Sequence, residues 1–228
     1  MSTAMELREL AKTHQNPAEW NERRKILASI QGWQHVVAHE AGHAVALAAL
    51  EWPIFLVSVD PLFLDSVGSK TDGKSIGRLG FCRGEELRPS ENERETFLYK
   101  LIVAGLAAGI ADELLYGSSP GTSDDMEDVR RYAEEMVRLK IADDNPDYER
   151  HVKDTLDEGH EQAKALFDNP DINRAFSNAA DALNEYGSFS TFCKGKLHID
   201  NLMAIIGSDI AAYRASLISS GDDVGKQT

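Results

Sequence analysis

Cysteine is scarce: Cys82 and Cys193 are the two in 228 residues. They stand far apart and in no metal-ligand spacing, so a disulfide framework is unsupported and two ordinary thiols are expected. Cations are outnumbered too, with 24 Lys and Arg against 38 Asp and Glu for a net charge of -14. A surface of that sign repels phosphate, which argues against a nucleic-acid partner and against docking on an anionic membrane. Long apolar runs are missing. The longest, Leu101 to Ala111, is too short to span a bilayer, and the N-terminus, MSTAMELREL, has no apolar core followed by a cleavage site. A cytoplasmic protein without a membrane association is expected. No internal repeat is visible, and the length fits one large domain, or one with a helical appendage, around a substantial core.

What the chain does have is concentrated in Gln34 to Leu50, QHVVAHEAGHAVALAAL. At about 100° per residue, His43 lies ~40° around a helix from His39 and one turn along it, so both imidazoles can reach one metal ion. Glu40 falls ~60° from His43 on the same side, placed to act on water beside a metal and poorly placed to be a ligand. It reads as a general base. Val36, Val37, Ala41 and the run Ala44 to Leu50 wrap this helix on every side, which marks it as buried. Two histidines and a glutamate are costly there unless something such as zinc satisfies them. His35 lies on the same face one turn earlier, but three histidines on successive turns span about 12 Å and cannot converge on one ion with ~2.1 Å bonds. His35 is therefore expected to be a polar residue near the helix start.

In chain order, residues 3 to 13 and Ala18 to about Ser29 are helix-prone around the break at Asn16-Pro17, a solvated preface to the metal helix. Ile54 to Val59 reads as a strand, Ser66 to Ser75 as a mobile loop, and Ile76 to Arg83 as a weak edge strand that could accept an extended peptide. Ser90 and Glu93 form a capping box opening a helix to about Tyr116, with Gly117 as its stop. Its small residues, Ala104, Gly105, Ala107, Ala108, Gly109 and Ala111, face a matching stripe on the metal helix at Ala38, Gly42, Ala46 and Ala49. The two helices are expected to cross at short distance. Asp112 and Glu113 oppose the dipole near that helix's end, and two readings stay open: orientation of a ligand histidine, or simple solvent exposure. Beyond Lys140, Tyr148 to Asn169, Ile172 to Gly187 and Ile199 to Leu217 keep helical spacing, with an irregular stretch or small hairpin at Gly187 to Leu197. His151, His160 and His198 are expected at the surface, and residues from about Ser219 read as a disordered tail. The expected division is 1–33 as N-terminal helical preface, 34–140 as the zinc core, 141–218 as the C-terminal helical part and 219–228 as the tail. The fold class expected is mainly α with a small two- to three-strand sheet, that is α+β, with a C-terminal helical bundle.

Zinc needs a third protein ligand and an open position. The metzincin continuation is excluded, because Ala46 and Ala49 stand where it needs glycine and histidine. In PGTSDDME, residues 120 to 127, Gly-Thr-x-Asp weakly resembles aspzincin proteases and nominates Asp124. The helix that follows has an apolar stripe at Met126, Val129, Ala133, Met136 and Val137. On that wheel Asp125 sits ~70° from the stripe's centre and Asp124 almost opposite. Asp125 is therefore preferred as ligand, and Asp124 as an N-terminal capping residue.

HEAGHAV, ADELLYG at 111 to 117 and PGTSDDMEDVRRYAEEMV at 120 to 137 together resemble the zinc peptidase domain of the FtsH-type membrane-anchored AAA+ proteases. That family's pattern is HEAGHA, then AAEEL-x-x-G, then TGAS-N-D opening a helix. Matched residue by residue, the resemblance implies metal ligands His39, His43 and Asp125 and a catalytic Glu40. It extends loosely to GRLGF at 77 to 81, the family's substrate-side strand, and to the C-terminal helices. The pattern departs at Gly109, where arginine is usual, and at Asp124, where asparagine is, and no ATP-binding module is recognisable. The resemblance implies a zinc metalloendopeptidase acting without ATP on unfolded or short polypeptides, with a possible hexameric assembly. The alternative it leaves is a non-catalytic or conditional peptide-binding module that docks on a separate ATPase.

Overall fold

The structure, a computed structural model, describes residues 21–22, 24–25, 28, 33–52, 54–60, 81–84, 89–117, 123–190 and 202–222. At 55–56, 81–84, 123–124, 188–190 and 219–222 it describes backbone alone. Several expectations fall outside these residues: the helix at 3 to 13, the loop Ser66 to Ser75, the first part of the second strand, and His198. The environments of both cysteines and the side chain of Asp124 fall outside as well.

The described elements are α1 (Trp33–Ala49), β1 (Ile54–Ser58), β2 (Phe81–Gly84), α2 (Arg94–Tyr116), α3 (Ser123–Arg138), α4 (Tyr148–Asp168), α5 (Pro170–Tyr186), β3 (Ser188–Ser190) and α6 (Met203–Asp222). The expectation of an α+β class is corrected. Helix accounts for 83% of the described residues, in six α-helices, so the class is mainly helical. The reason lies in the side chains. α1 and α2 are apolar around most of their circumference and must be covered by other helices, whereas the strand runs are 5, 4 and 3 residues long. Val57 and the adjacent Val59 are the fully buried apolar side chains described for the strand region; the rest of the core comes almost entirely from the helices and their ends. The short strands pair antiparallel, with β1 between β2 and β3, as a ribbon at the side of the helical body.

α1 runs through the core, with Trp33, Val37, Ala38, Ala41 and the run Ala44 to Ala49 all buried. It ends in a Schellman motif. The N–H of Trp52 donates to Leu47 O and that of Glu51 to Ala48 O, with Glu51 in the left-handed region at φ 61°. Arg214 of α6 secures this end by donating from Nη2 to Ala48 O at 2.6 Å and pairing with Glu51 at 3.7 Å, a cation where the helix dipole favours one.

α2 is the strut of the molecule. The 3₁₀ turn Glu91–Glu93 precedes it behind the Ser90–Glu93 capping box, and Gly117, left-handed at φ 71°, ends it where expected. Three helices approach it closely, each contact marked by a glycine. A Cβ on Gly42 of α1 would stand 2.8 Å from Ala111 Cβ and 3.0 Å from Ala108 Cα, so here the two backbones meet directly. A Cβ on Gly105 of α2 would strike Val129 of α3. One on Gly159 of α4 would come within 2.7 Å of Ile102 Cγ2. The expected close crossing of α1 and α2 is present.

Gly42→Ala tests it. Alanine gains about 1 kcal/mol in helix propensity, but overpacking against backbone that cannot step aside costs up to roughly 3 kcal/mol. A net loss of about 1–2 kcal/mol, read as a lower urea midpoint at constant slope, is expected; an unchanged or raised midpoint would mean the helices do not touch there.

The remaining helices follow their stripes. On α3, Val129, Ala133, Met136 and Val137 are buried, but Met126, expected on the same stripe, is 40% exposed. α4 buries Tyr148, Val152, Ala163 and Leu166, and Asn169 caps α5 by accepting from the N–H groups of Asp171 and Ile172. α6 continues to Asp222, past the point where a disordered tail was expected to start. No helix among the described residues is long and apolar enough to cross a membrane.

Candidate metal centre

Three elements each deliver part of one cluster. α1 presents His39 and His43 one turn apart, their rings edge to face with centroids 4.9 Å apart. α3 brings Asp125 in its first turn, so that Asp125 Oδ2 lies 2.9 Å from His39 Nε2 and 3.6 Å from His43 Nε2. α2 holds the rings from behind. His39 Nδ1 donates to Asp112 Oδ2 at 2.9 Å, and His43 Nδ1 donates to the backbone carbonyl of Ala104 at 2.8 Å.

These outward hydrogen bonds fix the tautomers. In the neutral rings that a metal requires, each Nδ1 keeps its proton and each Nε2 turns its lone pair to the side where Asp125 sits. One atom from each of His39, His43 and Asp125 lies within 4.8 Å of the others, and this is the group among the described residues that can hold a metal ion. A tetrahedral ion with ~2.1 Å bonds spaces its ligand atoms by ~3.4 Å, so the observed 2.9 and 3.6 Å need adjustments of only a few tenths of an ångström. Two imidazoles and one carboxylate are a donor set suited to a borderline divalent ion.

No protein-family model matches the chain, and no curated protein matches it.

Glu40, beside His39 on α1, is 7% exposed and close enough for its charge to act on both imidazoles, yet it stands outside the converging group. The protons on the cluster follow the same contacts. Burial opposes a charge on His39, but the hydrogen bonds to Asp112 and Asp125 outweigh it and raise its pKa from 6.5 to about 10. Burial likewise opposes charge on His43, and Asp125 overcomes it, so this pKa also rises. Burial works against ionisation of Asp125, while the two imidazoles hold its carboxyl well below the usual carboxylate range. An incoming cation must displace protons from the imidazoles, so metal binding releases acid.

The structure separates residues that the sequence left together. Of the adjacent Asp112 and Glu113, the first is buried against His39 and the second is exposed. His35 is not a ligand. Its ring stacks on Tyr116 at the end of α2, with centroids 3.7 Å apart. The Ala104 carbonyl is the one anchor that sequence reading missed, since a backbone acceptor leaves no mark in the pattern of side chains. His151 and His160 of α4, the first exposed and the second about half so, are not part of the cluster.

Proposed function

We propose that this chain is a zinc metalloendopeptidase that hydrolyses unfolded or short polypeptides without ATP. The observation that carries the reading is a buried glutamate, Glu40, set next to the first of two histidines whose Nε2 atoms converge with an aspartate. A purely structural metal site has no use for a carboxylate set there. The resemblance of HEAGHAV, ADELLYG and PGTSDDME to the FtsH-type peptidase domain supports the same assignment of roles.

In this mechanism His39 Nε2, His43 Nε2 and Asp125 Oδ2 would hold the ion, while Asp112 and the Ala104 carbonyl keep both rings aimed. When bound, zinc supplies a Lewis acid that acidifies water and polarises a peptide carbonyl. Glu40 accepts a proton from the attacking water as its oxygen bonds to the carbonyl carbon. It then passes that proton to the leaving nitrogen as the C–N bond breaks. The ion would have to stay reachable by a main chain, and the greater exposure of Asp125, 30% against 12% for each histidine side chain, supports an approach from the start of α3.

The test is digestion of casein by purified protein, before and after removal of metal with a chelator and again after zinc is returned. Cleavage that disappears and comes back with one zinc per chain is expected. Digestion at an undiminished rate by metal-free protein sinks the proposal. So does a lack of cleavage by fully loaded protein, and cleavage that starts only with an added ATPase and ATP would point to a docking module.

A further inference from the structure

We propose that Asp112 is the positioning residue that sets how tightly this site retains its ion, acting through His39. The proposal rests on the reading of His39, His43 and Asp125 as metal ligands and not on peptide hydrolysis.

Asp112 is in an unfavourable place for a carboxylate. It lies in the last turns of α2, where the helix dipole repels negative charge, and it is 1% exposed. Among the described residues neither lysine nor arginine pairs with it, and its Oδ1 has no hydrogen-bond partner. Its one polar contact is the 2.9 Å bond from His39 Nδ1 to Oδ2. A buried charge with a single partner is strongly destabilising unless a cation compensates it. When His39 gives up its proton to a metal, the ion on Nε2, across the same imidazole, would take over that role.

His43 supplies the comparison. Its Nδ1 is held by an uncharged backbone carbonyl, 2.8 Å away, and that bond fixes ring and tautomer as well as a carboxylate would. Aiming a ring therefore does not require a negative charge. What a carboxylate adds is electron density pushed through the imidazole, which makes Nε2 a stronger donor and stabilises positive charge on it. The two ligand histidines are thus unequal: His39 is the strong donor because Asp112 stands behind it, and His43 is the ordinary one.

The experiment compares wild type with Asp112→Asn and Asp112→Glu. Zinc affinity is read by competition with a chromophoric chelator, thermal midpoints with and without zinc, and the visible spectrum after cobalt replacement. Asp112→Asn keeps an acceptor oxygen and loses the charge, and it should bind zinc about 10- to 100-fold more weakly. The stabilisation that zinc confers should shrink accordingly, and the cobalt bands should shift. Asp112→Glu, which restores the charge, should recover part of the affinity and keeps the test open if the asparagine variant folds poorly. Wild-type affinity and an unchanged cobalt spectrum in Asp112→Asn overturn the role of Asp112 alone. A uniform loss of stability with affinity unchanged does the same, since it marks a packing residue. Wild-type protein that binds no zinc brings down the metal reading itself.

Discussion

Replacing Glu40 by glutamine should leave the chain folded and loaded with metal while slowing peptide hydrolysis by about 10²- to 10⁴-fold. The substitution keeps shape and one acceptor oxygen, so the buried niche on α1 that leaves Glu40 7% exposed is not disturbed by size. It removes the ability to take a proton from water and return it to an amine. Because Glu40 stands outside the group His39, His43 and Asp125, metal content should stay at the wild-type level. A fluorogenic peptide assay and elemental analysis on the same preparation check both halves. Wild-type turnover in a zinc-loaded Glu40→Gln protein would remove Glu40 from the mechanism. Loss of zinc would instead make it a ligand.

The second large effect is expected at Asp125. Its Oδ2 is the one donor brought to the cluster from outside α1, at 2.9 Å from one imidazole and 3.6 Å from the other. Alanine there leaves two histidines on a single helix, and two ligands hold zinc far less well than three. Affinity should fall by more than about 100-fold, beyond the usual effect of changing a residue that only supports a ligand. Peptidase activity should fall with it and return in part at high zinc. Asp125→Asn keeps the start of α3 intact and should lose affinity in the same direction, which separates ligation from helix capping. A wild-type dissociation constant in either variant would mean that Asp125 touches the histidines without sharing their ion.

How far the sequence spoke for itself varied with the range of the interaction. His39, Glu40 and His43 follow from spacing on one helix, and the ends of α2 at Ser90 and Gly117 follow from capping chemistry within a few residues. Asp125 was legible because the stripe of α3 gives that helix a face. Asp112 and Glu113 were not separable in this way. Neighbours on a helix differ by about 100°, and α2 is apolar or small over so much of its surface that its stripe does not say which acid turns inward. Met126 misled for a related reason: α3 begins beside the site, so its first turn lacks the cover that buries Val129 and Ala133. The α+β expectation came from reading apolar runs such as Ile54 to Val59 as structure in their own right. A strand's weight in a fold depends on what pairs with it, and here the helices supply nearly all the buried surface.

The close approaches at Gly42, Gly105 and Gly159 surround the segment of α2 that carries Ala104 and Asp112. At Gly42 the neighbours are the main chain of α2 itself, and at Gly105 and Gly159 they are the side chains of Val129, Ile102 and Leu106, so the helix that anchors both imidazoles is held on three sides. Such an arrangement has little tolerance for drift: a methyl group at Gly42, which does not belong to the metal cluster, would push on the stretch of α2 between Ala104 and Asp112 and so on both imidazoles. Substitutions that weaken metal binding should accordingly fall on such silent neighbours as well as on His39, His43 and Asp125.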